Sequence, residues 1–336
     1  MTNPYAEYIR ILGRGPIKSR HLTLEEARFA FGGVLSGDMQ DMQVGALLLL
    51  LRYRSESPAE LAGIVSAIRD HMGLNNKMPT SQKVIDWPSY SSGKSRRLPW
   101  FLLSAKLLAK NGLKIFMHGF NSHLENGLPT EDCLAAIGET PAPSLGEARK
   151  TLSTRNFSYL PLRNFCPKLQ ELLEIRSVLG VRSVVNTAVK LINPLGAELI
   201  FLGIFHPAYI TLNLEAALLL GQSNLGVIKG GGGEAERNIL KPIKLFQLSD
   251  AQVNTSDWPK PENTKPENTK PDIKAGNDTV SVDYLADIWQ GRVQDDYASA
   301  MIMGTAAQAL YLTGQAGHVD EAENLAKKYW FNHLNM

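Results

Sequence analysis

Between Trp87 and Leu124 the chain carries Lys94, Arg96, Arg97, Lys106, Lys110 and Lys114 and no aspartate or glutamate. Cations with no acid near them in sequence are left to attract an outside anion, and phosphate is the commonest one. Lys94, Arg96 and Arg97 fall in "PSYSSGKSRR", just ahead of an apolar run, "WFLLSAKLLAKNG", that reads as a helix. A basic loop that leads into a helix N-terminus suits an anion twice, through charge and through backbone N–H groups with no partner inside the helix. Lys106 and Lys110 stand four apart on that helix, hence on one face. Tyr90 and Phe120 flank the region and are the aromatic rings placed to stack on bases, whereas Trp100 is expected in the core. The alternative reading is a solvated loop and helix face; the length of the acid-free run favours phosphate.

Other residues with chemical potential are scattered more widely. A second basic stretch holds Arg149, Lys150, Arg155, Arg163, Lys168, Arg176, Arg182 and Lys190 against Glu171 and Glu174. His118 and Gly119 follow the β-type run "LKIFM", at the strand end where α/β folds place ligands. "KGGGGEAERN", Lys229 to Asn238, follows another such run; its glycines allow either close backbone approach or a plain turn. It lacks the Gly-Lys-Ser/Thr ending of a nucleotide-binding loop. Cys133 and Cys166 lie far apart, without metal-ligand spacing. No catalytic residue, metal site or cofactor is assigned on these grounds. Arg52 and Arg54 close an N-terminal helix and are expected to lie away from the phosphate surface.

The elements that must position these residues fall into two kinds. Residues 1–75 read as short helices, with "TLEE" (Thr23 to Glu26) and "SPAE" (Ser57 to Glu60) as capping boxes and Pro58 at a first helical position. Residues 80–336 alternate β-type runs ("KVID", "LKIFM", "ELIFLGIF", "LGVIK", "IKLFQL") with helical ones, the pattern of an α/β domain with a mostly parallel central sheet. Residues 168–192 are helical again and are expected to rejoin the N-terminal helices. Residues 255–278 contain a tandem pentapeptide, "PENTKPENTK", with few apolar residues, and are expected to be a mobile insertion. With 336 residues, 44% of them hydrophobic, the chain can bury substantial cores without disulfides, and a net charge of +2 says nothing about partners. No apolar run approaches the ~20 residues that span a bilayer, so no membrane partner is expected and the cytoplasm is the expected location.

"GALLLLLRYRSESPAELAGIVSAIR", "GLKIFMHG", "IRSVLGVRSVVNTAVKLINP", "LGVIKGGGGEAE" and "AAQALYLTG" together resemble anthranilate phosphoribosyltransferase, in the same order and over nearly the whole chain. The resemblance implies a helical domain beside an α/β domain with an active cleft between them, and a homodimer formed through the helical domain. The family's catalytic signature is altered. Its G-T-G-G-D loop, which with N-x-S-T holds phosphoribosyl pyrophosphate, is replaced here by "WPSYSSGK", and the N-x-S-T positions fall on Pro99, Phe101 and Leu102. K-H-G-N-R becomes "MHGFN", which keeps His118 and Gly119. The magnesium-binding Asp-Glu pair falls on Ala235 and Glu236, and the tandem histidines fall on Phe165 and Cys166 ahead of a matching Arg176.

"IRILGRGP", "PSY", the Gly-Lys/Arg-rich loop and "GEAERN" are similar to the divergent YbiB-like branch of the same fold, which implies nucleic-acid binding without demonstrated transferase activity. The expected surface for DNA or RNA comprises Lys94, Arg96, Arg97, Lys106, Lys110, Tyr90, Arg163 and Arg176. The expected remnant of the family cleft comprises His118, Gly119, Arg176, Lys229 and Glu236. A phosphoribosyltransferase with an altered substrate is the competing expectation, and a scaffold that recruits a partner is a third.

Overall fold

The computed structural model describes residues 3–74, 84–90, 98–120, 128–261 and 281–335. The chain divides into two compact units, one of residues 1–79, 165–196 and 211–222, the other of residues 80–164, 197–210 and 223–336.

The first unit is helical. Its opening helices are α1 (Ala6–Gly13), α2 (Leu24–Ser36), α3 (Asp41–Arg54) and α4 (Pro58–His71). Both expected capping boxes form. Thr23 Oγ1 accepts from the Glu26 amide at 3.2 Å while the Glu26 carboxylate accepts from the Thr23 amide at 2.8 Å, and Ser57 and Glu60 repeat the arrangement ahead of Pro58. Glu60 also accepts from the Leu22 amide at 2.8 Å, which helps seat α2 on α4. A side chain on Gly63 would run into the Leu24 carbonyl, so glycine is what permits that approach.

Residues 167–192 do belong to this unit, but not as one helix. They form α7 (Pro167–Glu174), α8 (Arg176–Leu179) and α9 (Val185–Ala188), with Gly180 turning the chain at φ 71°. Arg69 donates to the carbonyls of Ile192 and Leu191 at 2.8 and 3.0 Å, and Thr187 donates to Glu56 at 3.2 Å, so this segment is tied to α4 and to the residue pair that follows α3. Most of α10 (Ala208–Leu219) also joins the helical unit, although its sequence reads as one of the helices alternating with the strands.

The second unit is built on a seven-stranded sheet in the order β3-β2-β1-β4-β5-β6-β7. The strands are β1 (Val84–Ser89), β2 (Lys114–Gly119), β3 (Phe157–Pro161), β4 (Leu199–Ile204), β5 (Asn224–Lys229), β6 (Ile243–Ser249) and β7 (Gln252–Trp258). The first five run parallel; β6 and β7 are antiparallel. Ile85, Trp87, Ile115, Met117, Phe157, Tyr159, Leu199 and Phe201 share a core with α5 (Trp100–Lys110), α11 (Val282–Trp289) and α12 (Asp296–Leu312). Alternation along β1 and β2 puts Asp86, Phe116 and His118 on the opposite face of the sheet. The remaining helices are α6 (Leu145–Arg155) and α13 (Val319–Leu334).

The insertion begins later than its sequence suggests. Thr255 to Trp258 are the second half of β7, with Thr255 opposite Phe246 and Trp258 opposite Ile243. The strand exists because Asp250 and Ala251, at φ 50° and 60°, make a two-residue turn that folds β7 back on β6. Trp258 then buries its ring completely. The rest of the segment, 262–278, lies outside the described residues. Among the described residues no helix is long and apolar enough to cross a membrane.

Candidate functional site

Two neighbouring parallel strands of the second unit, β1 and β2, end at Ser89, just before Tyr90, and at His118 and Gly119, where the loops that face a ligand begin. The register that pairs Pro88 with His118 and Ser89 with Gly119 puts the ends of β1 and β2 level. The Tyr90 hydroxyl lies 2.6 Å from His118 Nδ1, and His118 Nε2 lies 3.2 Å from Asp86. All three side chains are buried. A carboxylate accepts but cannot donate, so Nε2 carries the hydrogen toward Asp86, and in the neutral ring Nδ1 accepts from the tyrosine. Tyr90 is therefore a buried member of a hydrogen-bonded chain, with its ring edge-on to His118 at 5.2 Å, and is not a platform for bases. Asp86 is the member that sequence reading missed; its signal is a lone acid in the apolar run "KVIDW".

At the end of β5, Lys229 is exposed and the glycine loop turns back over the strand ends. A side chain on Gly203 or Gly230 would collide with the backbone of Glu234, and Gly232 and Gly233 take φ 70° and 88°. Close approach, rather than a plain turn, is the purpose of these glycines. The approach carries Glu236 to the start of α5, where its Oε2 accepts from the Phe101 amide at 3.0 Å. This corrects the expectation that the α5 N-terminus is open to an outside anion: a buried carboxylate of the chain already sits there. The neighbouring Arg237 is buried too, bonded to Glu323 at 2.7 Å and to the Pro259 carbonyl at 2.6 Å, and lies over the Trp258 ring at 5.0 Å.

Several of the expected phosphate-binding cations are already paired. Lys106 is bonded to the buried Glu139, which also meets Arg155 at 3.2 Å. Lys110 donates to His333 Nδ1 at 2.8 Å. Arg163 forms a two-pronged pair with Glu131 at 2.9 and 2.5 Å, which raises its guanidinium pKa further. These three are held by acids or a histidine distant in sequence, so α5 does not present the free basic face its sequence implies. Arg176, in the helical unit, is exposed. Lys94, Arg96 and Arg97 lie outside the described residues. Among the described residues no group of three His, Cys, Asp or Glu side chains is arranged to hold a metal ion.

A two-part chain with this sheet, this glycine loop and this helical partner is the architecture of the glycosyl transferase family, and the chain belongs to that family: residues 6–72 match its helical bundle domain and residues 101–330 its α/β domain. The chain is 31% identical over 208 residues to the uncharacterized protein YbiB of Escherichia coli (strain K12), a match that covers 61% of this chain and 64% of that one. Less than two thirds of that relative's length is thus spanned. The anthranilate phosphoribosyltransferase of Methanosarcina acetivorans is 29% identical over 321 residues, 96% of this chain and 84% of the relative. Among solved structures, anthranilate phosphoribosyltransferase from Thermus thermophilus superposes with a TM-score of 0.75 at 20% identity, over 100% of this chain and 98% of that one.

Proposed function

We propose that the chain binds DNA or RNA through the phosphate backbone, without base preference, and does not transfer phosphoribosyl groups. The observation that carries this reading is Glu236 at the start of α5. A helix N-terminus that already holds a carboxylate has little left to offer a pyrophosphate. A buried Glu236 bonded to backbone, beside Ala235, is also a poor match for magnesium, which keeps several waters and needs accessible carboxylates. The residues therefore do not fit phosphoribosyl pyrophosphate with magnesium. What supports a polymer instead is the trio Lys94, Arg96 and Arg97 within the acid-free run of the sequence, together with the exposed arginines of the helical unit. Cations that neutralise phosphates release condensed counterions, and this drives binding whatever the base sequence.

Family membership supports a second reading, glycosyl transfer to an altered substrate, because His118, Gly119, Arg176, Lys229 and Glu236 persist. A homodimer through the helical unit is part of the proposal. Met42, Leu49 and Tyr53, spaced seven and four apart, leave one apolar stripe of α3 at 83%, 48% and 84% exposure. The decisive experiment is a salt titration of oligonucleotide binding by fluorescence anisotropy, run beside an anthranilate-fluorescence assay with phosphoribosyl pyrophosphate and magnesium. Salt-sensitive binding with no anthranilate consumption is expected. Turnover that vanishes in Arg176→Ala, with no oligonucleotide bound, would reverse the order of the two readings.

A further inference from the structure

The strand order β3-β2-β1-β4-β5 means that the chain works outward from β1 to β3 and then crosses back to lay β4 on the other side of β1. Open α/β sheets hold their ligands outside the carboxyl ends of the strands at such a reversal. On the β1 side that end is filled by the chain itself, because Tyr90 and His118 are buried against each other. The β4 side differs. Phe205, His206 and Pro207, which follow β4, are all exposed.

Phe205 leaves 54% of its surface to solvent, so core packing does not account for it. Its ring stands nearly perpendicular to that of His206, at 87° with 4.8 Å between centres, and such a pair fixes the orientation of both rings. The backbone beneath is also fixed. The Tyr209 amide donates to the His206 carbonyl at 3.0 Å and the Ile210 amide to the Pro207 carbonyl at 2.9 Å. On the neighbouring strand, Lys229 is the register partner of Ile204, and the Gly230 amide donates to the Ile204 carbonyl at 3.1 Å. Phe205 therefore comes one residue after the partner of Lys229, at the same end of the sheet. Lys229 is exposed, and its ammonium is bonded to no side chain among the described residues. Gly232, exposed on the glycine loop, has an amide that makes no hydrogen bond among the described residues. The two acids of that loop, Glu234 and Glu236, are buried.

We infer that Phe205 is a stacking platform for a base of single-stranded nucleic acid, and that Lys229 and the Gly232 amide hold the phosphate beside that base. The inference rests on the nucleic-acid reading and adds to it a strand preference and a second contact, separate from the basic loop. An exposed ring with a cation next to it is what a single strand needs, since its bases have free faces; in a duplex those faces are covered by neighbouring pairs. Every base has such a face, so stacking here agrees with binding that ignores base sequence. Phe205 takes the part that the sequence gives to Tyr90.

The test is fluorescence anisotropy with a labelled single strand and with the matching duplex, at several salt concentrations. Phe205→Leu keeps an apolar side chain and removes the aromatic face; it should weaken single-strand binding about tenfold with the salt slope unchanged, and leave duplex binding as it was. Phe205→Trp keeps a ring and should keep the parent affinity, which separates stacking from misfolding. Lys229→Ala should lower the log–log slope for the single strand by about 0.7, the share of one phosphate. Adenosine monophosphate at the oligonucleotide's concentration should not compete. If the parent binds and Phe205→Leu matches it on the single strand, or loses as much on the duplex, the ring is not a base platform and this inference falls while the nucleic-acid reading stands. Competition by the mononucleotide would assign the site to a free nucleotide and overturn the inference as well. So would light scattering that shows Phe205→Leu, but not the parent, as a monomer, because the ring would then belong to an interface between copies. If the parent binds neither strand form at any salt concentration, both readings fall.

Discussion

His118 and His333 are each fixed in one tautomer by what surrounds them, and each yields a prediction at the scale of a single residue. Tyr90→Phe deletes the hydroxyl that lies 2.6 Å from His118 Nδ1 and keeps the ring. It should cost about 1–2 kcal/mol in a urea titration while leaving oligonucleotide affinity unchanged, because the ring is buried rather than offered to bases. His333 Nε2 donates to the Trp289 carbonyl at 2.7 Å, Nδ1 accepts from Lys110, and the ring lies 3.9 Å from that of Trp289. Burial first, and then Lys110, hold its pKa below the usual histidine value, opposed by the bond to Trp289. The unfolded chain then takes up the proton first as pH falls, so this stability is complete above about pH 6.5 and is lost below it. Thermal unfolding should show a fall from about pH 7 to pH 5 that His333→Gln flattens. Glu26 acts in a separate window: its hydrogen bonds to Arg20 hold the carboxyl at about 2, and its contribution fades only as pH falls from the ordinary carboxylate range toward that value.

At the scale of elements, α5 depends on a cap from far along the chain. Glu236→Ala should destabilise the protein by about 1–2 kcal/mol, while Glu236→Gln, which still accepts from the Phe101 amide, should cost much less. Neither change should produce anthranilate turnover, since Ala235 still supplies no carboxylate. The capping boxes of α2 and α4, α5 itself and five of the seven strands were legible in the sequence because each is specified by residues within a few positions. Two strands were not. β3 is a five-residue run, "FSYLP", directly after α6, and β7 is polar and exposed along most of its length, so neither shows a clear alternation. The candidate site was legible in its residue types and less so in their availability. Lys106 meets Glu139 across 33 positions, and Lys110 meets His333 across 223, distances over which sequence pattern carries no signal.

At the scale of the whole molecule, the exposed stripe of α3 predicts association. Leu49→Glu with Tyr53→Glu should convert a dimer to a folded monomer, with mass read by light scattering after gel filtration and folding checked by circular dichroism; a parent that is itself monomeric removes the proposal. The family and the two-part architecture were legible from ordered segments spread over the chain, whereas the placement of α10 with the helices was not, because an apolar helix reads the same in either unit. One more property follows from β7. It is the last strand of the sheet and, among the described residues, pairs with β6 alone, so that among those residues no strand meets the row of backbone donors and acceptors of its outer side. Such a row can template fibre growth, strand by strand, when protein is concentrated. Lys244 and Asp257 put charge across the hairpin, and Pro259 and Pro261 follow the strand at once, so the row is short and ends in residues that cannot extend it. A chain that lost those prolines and charges would keep its fold and its surfaces, and would come out of solution as it was concentrated.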